Sequence, residues 1–115
     1  MVDETVIPDG IIDDNEAWAK LNAPVWRIAN NLYRIISEKY QVARIFVSGR
    51  SKVQFNFSRP REDWICVSAR MNTARRGQLK YYTVSIFCCG FSRSITTSPD
   101  ESRLVAMFSS VFAHF

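Results

Sequence analysis

The chain is poor in the residues that covalent frameworks and catalytic sites usually draw on. Among 115 residues it has one histidine, His114, and three cysteines, Cys66, Cys88 and Cys89. A single imidazole excludes a paired-histidine metal site and would make Ser-His or Cys-His catalysis depend on the last turn of the chain. Its expected place is near the negative end of a helix dipole. Three cysteines are too few, and an odd number, for a disulfide framework, which fits a reducing compartment. Cys88 and Cys89 are adjacent and point to opposite faces of a strand. They cannot grip one ion and read as core fillers, with Cys66 a buried thiol unless it meets one of them across neighbouring strands.

Acids are equally scarce after residue 16: only Glu38, Glu62, Asp63, Asp100 and Glu101 remain. Asp100 and Glu101 fall at a helix start and Glu62-Asp63 in a turn. No Gly-rich phosphate loop, G-x-S-x-G or H-E-x-x-H occurs. The expectation is a protein that is not an enzyme and holds no cofactor or metal. A secretory start is missing, as is any run of roughly 18 apolar residues, so a cytoplasmic protein without membrane contact is expected. Repeats, low-complexity stretches and linkers are missing too, and 115 residues suffice for one core rather than two.

What the chain does have is an abrupt separation of charge. Residues 1–16 hold six acids (Asp3, Glu4, Asp9, Asp13, Asp14, Glu16) and no Lys or Arg. Residues 17–115 hold all 15 Lys and Arg against five acids, a formal charge of +10 in a chain that totals +4. A basic body binds polyanions, and an acidic arm can cover the same surface or recruit a basic partner. The division expected is an acidic arm over 1–12 and a single α+β domain over 13–115.

Within the arm, Val6-Ile7 and Ile11-Ile12 flank Pro8-Asp9-Gly10, which has turn chemistry. Trp18, Leu21, Val25, Ile28, Ala29, Leu32, Ile36 and Tyr40 then recur at helical spacing. Asp13 or Asp14 is placed to cap the start. Pro24 breaks the pattern and Asn22 can cap a second segment, predicting a short helix followed by a longer one. Val53 to Ser58 alternates as a half-buried strand does, and Arg44–Ser48, Trp64–Met71 and Tyr81–Cys89 are rich in β-branched and aromatic residues. A fifth strand fits near Ser94–Thr97. Ser98-Pro99-Asp100-Glu101 is a capping box with proline at the first helical position, opening a helix that runs nearly to the end. The fold predicted is a two-layer α+β sandwich: an antiparallel meander of four to five strands with both helices on one face.

In a meander, alternate connections share an end. The turn at Gly49-Arg50-Ser51 and the loop from Thr73 to Gly77 should therefore gather Arg50, Lys52, Arg75, Arg76 and Lys80. Residues 41–80 hold nine basic residues against two acids, a net +7. Guanidinium forks suit phosphate oxygens, and outward rings suit stacked bases. Aromatics near the cluster include Tyr81, Tyr82, Trp64 and Phe46, with Gln54, Asn56, Thr83 and Ser85 on the same open face. The expected function is a basic protein binding RNA or single-stranded nucleic acid, or part of an assembly that processes it. Arg50, Lys52, Arg75, Arg76 and Lys80 would hold phosphates and Tyr81 would stack. Both helices carry more apolar residues than one sheet can cover. The alternative is a protein-interaction module, assembly subunit or inhibitor, of phage or plasmid type. It would bind a protein of a nucleic-acid machine, or a second copy as a homodimer, through the arm and Trp26, Tyr33, Phe112 and Phe115.

Overall fold

In Val53-Gln54-Phe55-Asn56-Phe57 every second residue is apolar, and the computed structural model buries those residues fully and leaves the others half-exposed. The same alternation recurs along neighbouring strands and builds one antiparallel sheet. Six strands, β1 (Glu4–Pro8), β2 (Val42–Ser48), β3 (Lys52–Ser58), β4 (Trp64–Thr73), β5 (Lys80–Cys88) and β6 (Phe91–Thr97), pair in chain order as a meander. The structure describes residues 4–8, 15–58, 64–73, 80–88, 91–97 and 101–114, with β1, Thr73, Lys80 and most of β6 described by their backbone pairing alone. The α+β sandwich expected from the sequence is present. Its sheet is larger by the strand that the acidic arm supplies: Glu4-Thr5-Val6-Ile7-Pro8 pairs antiparallel with β2. Proline ends this strand at the sheet edge, where a missing N–H breaks no interior ladder.

The first helical segment is broken as Pro24 predicts, into α1 (Glu16–Ala19) and α2 (Ala23–Ser37). The cap of α1 differs from expectation. Asn15, rather than Asp13 or Asp14, accepts the Ala17 N–H at 2.9 Å, because only a residue directly before the helix reaches its first free amides. Asn22 occupies the cap position of α2 without a side-chain bond. Its own N–H donates to the Arg50 carbonyl at 2.7 Å, tying the helix start to the β2–β3 turn. In that turn Gly49 takes φ 61°, the left-handed conformation that glycine adopts without strain.

The last helix, α3 (Glu101–Phe112), lies beside α2 and runs parallel to it: Arg27 meets Glu101 near both starts, and Ile35 and Ser109 line the far end of the groove between them. Each helix thus covers a flank of the other as well as the sheet, which accounts for much of the apolar surplus. The core joins Trp18, Val25, Ile28, Leu32 and Ile36 to Phe55, Val67, Val84, Leu104 and Phe108. Phe112 corrects an expectation. It is 2% exposed, stacked on Phe108 at 5.2 Å and edge-on to Phe57 and Tyr40 at 6.0 Å each, so it packs the domain instead of facing a partner. Tyr33 is half-buried, 6.1 Å from the Phe55 ring, while Trp26 keeps 42% of its surface. Phe115 lies outside the described residues. The radius of gyration, 13.6 Å, is that of a compact chain of this length.

Candidate nucleic-acid interface

Because both helices cover one side of the sheet, the alternation that buries Val53, Ile65, Val67 and Val84 turns their neighbours in sequence toward an open face. Register sets the residues of this side in rows, with Ser92 and Thr96 placed by backbone pairing alone. One row runs Ser48, Lys52, Arg70, Thr83, Thr96 across β2 to β6. The next runs Phe46, Gln54, Ser68, Ser85, Ser94, and a third runs Arg44, Asn56, Cys66, Phe87, Ser92. A bulge between Val42 and Arg44 makes two consecutive residues, Ala43 and Arg44, face outward. The expected polar residues share this side: Gln54, Asn56 and Ser85 are half-exposed, while Thr83 is buried. Gln54 donates to Asn56 Oδ1 at 3.0 Å, Asn72 donates to Thr83 Oγ1 at 2.9 Å, and the Ser85 and Ser94 hydroxyls lie 2.9 Å apart.

The meander brings the β2–β3 turn and the β4–β5 connection to one end, as the sequence implied. Lys52 stands opposite Arg70, both exposed, and Met71 N–H donates to the Ser51 carbonyl at 2.8 Å, locking the turn to β4. Among the described residues no carboxylate lies within ion-pair distance of Arg44, Lys52 or Arg70. Arg50 is also engaged within the domain, where its Nε donates to the Lys20 carbonyl at 3.3 Å and draws it toward the junction of α1 and α2. The register sets Lys80 opposite Thr73 and the half-buried Tyr81 opposite Asn72, just past the Lys52–Arg70 row. Arg75 and Arg76 lie outside the described residues.

Two contributions were not anticipated. Arg70 counted toward the basic total without being singled out, yet the phase of Trp64-Ile65-Cys66-Val67-Ser68-Ala69-Arg70 already sets it outward with Trp64. Both longer helices also begin at this end, since Asn22 bonds Arg50 and α3 follows Thr97, one residue beyond the row of Lys52. Their N-terminal dipole ends add positive potential there. Glu101 partly offsets it but is itself gripped by Arg27, with Nε to Oε2 at 2.7 Å and Nη2 to Oε1 at 2.9 Å, a hydrogen bond that holds the guanidinium above its ordinary pKa. In a capping box that carboxylate would also accept the Ser98 N–H, and Ser98 lies outside the described residues.

Elsewhere the chemistry is sparse. Cys66 faces the open side and Cys88 the core. Neither forms a disulfide with another described residue, and burial, with a smaller effect from Cys88, pushes the Cys66 thiol up. Cys89 lies outside the described residues. Among the described residues no group of three His, Cys, Asp or Glu side chains is placed to hold a metal ion, and no helix is long and apolar enough to cross a membrane. Between α2 and α3 runs a groove of about 480 Å³ floored by Ile28, Ile35 and Val105. Its charged pair, Arg27 and Glu101, is already matched. Comparison of the chain with protein-family models, curated proteins and solved structures finds no match.

Proposed function

We propose that this protein is a small non-enzymatic binder of RNA or single-stranded DNA, acting alone or within an assembly that processes nucleic acid. Lys52 and Arg70 make its first phosphate contacts, and Arg50, Arg75, Arg76, Lys80 and Tyr81 flank them. One observation carries the proposal: two cations stand directly opposite each other on neighbouring strands, with no described carboxylate near either. Like charges so opposed cost stability, and a bound phosphate would relieve them. The open polar face continuing from them gives a strand room to lie.

The test is the salt dependence of binding to a fluorescent oligothymidylate. If about four phosphates are neutralised, log K falls against log salt with a slope near −3 for a single strand. Replacing Lys52 and Arg70 together by Ala should make that slope shallower by about 1.4. Affinity that does not change with salt removes the proposal.

A second reading, the protein-interaction module, is favoured by Trp26 and Met107, each 42% exposed on the helical layer. It expects Trp26→Ala to abolish association with a protein partner or a second copy, seen by light scattering, while nucleic-acid binding is untouched.

A further inference from the structure

The two most exposed large apolar side chains among the described residues are not on the helices. They are Trp64, at 59%, and Phe87, at 53%, and both belong to the open face of the sheet. Phe87 pairs with Cys66, two residues after Trp64 on β4, so the two rings are diagonal neighbours with backbones about 7–8 Å apart, within reach of one another. The surrounding face is mostly Ser, Asn, Gln and Thr, with Cys66 opposite Phe87 and Phe46 farther across. These neighbours leave both rings more than half exposed, and from β2 to β6 the positions on this side hold Arg44, Lys52 and Arg70 but no acid. An aromatic end and a cationic end therefore share one side of the sheet. Arg70 lies six residue steps along β4 from Trp64, about 20 Å at strand rise.

We infer that Trp64 and Phe87 are a base-stacking platform for a single-stranded polynucleotide whose phosphates run toward Lys52 and Arg70. The inference rests on the nucleic-acid reading above and gives it a second contact area with different chemistry. The occupant is argued from complementarity. Cations with no described carboxylate within ion-pair distance suit a polyanion, and exposed rings suit a ligand with π-faces, a combination that unpaired nucleotides supply. A duplex keeps its bases stacked on each other, so it could use the cationic end alone. Stacking accepts every base, which predicts binding that depends on the presence of bases more than on their order.

The experiment measures anisotropy of labelled oligothymidylate, and of an abasic phosphodiester strand of the same length and charge, with protein freed of polynucleotide by nuclease and high salt. The wild type should bind the strand with bases about 10-fold or more tightly than the abasic one. Trp64→Ala with Phe87→Ala should erase that ratio and leave abasic binding unchanged. Trp64→Phe should keep most of it, and Lys52→Ala with Arg70→Ala should weaken both strands alike. Equal wild-type affinity for both strands, or a ratio that survives Trp64→Ala with Phe87→Ala, overturns the stacking platform while leaving the phosphate contacts standing. Binding of neither strand overturns both, and the exposed rings then belong to a protein contact or a second copy, which light scattering would show. Both side chains project from the sheet, so denaturation midpoints close to wild type are expected for these variants.

Discussion

Lys52 and Arg70 are the clearest case of a residue pair in which stability and binding pull in opposite directions. Arg70→Glu would place a carboxylate opposite Lys52 across the β3–β4 pair. At low ionic strength this should raise unfolding stability by about 0.2–1 kcal/mol in a urea titration, while single-strand affinity falls. A loss of both would mean that Arg70 has a packing role. Two phenylalanines make the complementary comparison. Phe112, 2% exposed in the core, should lose about 3–5 kcal/mol on change to Ala. Phe87, 53% exposed on the open face, should lose less than about 1 kcal/mol. Denaturation curves of the two variants test whether Phe112 packs the core while Phe87 does not.

At the scale of elements, β1 changes what the acidic arm means. The arm contributes an edge strand, and the register sets Glu4 opposite Ser48 in the same row as Lys52 and Arg70. Deleting residues 1–16 would remove a strand and the Asn15 cap together with the charge, so loss of structure would mask any electrostatic gain. Neutralising Asp3, Glu4 and Asp9 to their amides leaves the backbone pairing alone. Affinity for a single strand should then rise several-fold at low salt and converge on wild type as salt screens the arm. An unchanged affinity at low salt would show that the arm does not moderate the site. The strand was legible in part: Thr5, Val6 and Ile7 are β-formers, but the turn chemistry of Pro8-Asp9-Gly10 drew attention to a bend, and nothing local says which strand would accept them.

For the whole molecule, the layer arrangement decides where charge and rings appear. Placing both helices on one side leaves the other side of a six-stranded sheet open, and the parallel α2 and α3 direct their positive ends to the cationic end. Protein purified at low salt should therefore carry polynucleotide. Ultraviolet absorbance should shift toward the protein spectrum after nuclease and high salt, and light scattering of the cleaned protein gives the subunit number. A spectrum unaffected by either treatment would count against the open face as a polyanion surface.

The sequence by itself determined the element types after the arm, the break before α2, the two-layer architecture and the shared end of the basic connections, because periodicity, proline and chain order are local or topological facts. It also contained the outward phase of Arg70 and Trp64, since alternation along one strand fixes which residues share a face. Only the tertiary structure decided that Lys52 meets Arg70, that Phe87 stands diagonal to Trp64, that Phe112 closes the core and that the arm becomes β1. Each of these depends on register between strands or on which helix lies beside which. Those choices are set by the packing of residues distant in the chain, and no single segment carries that information.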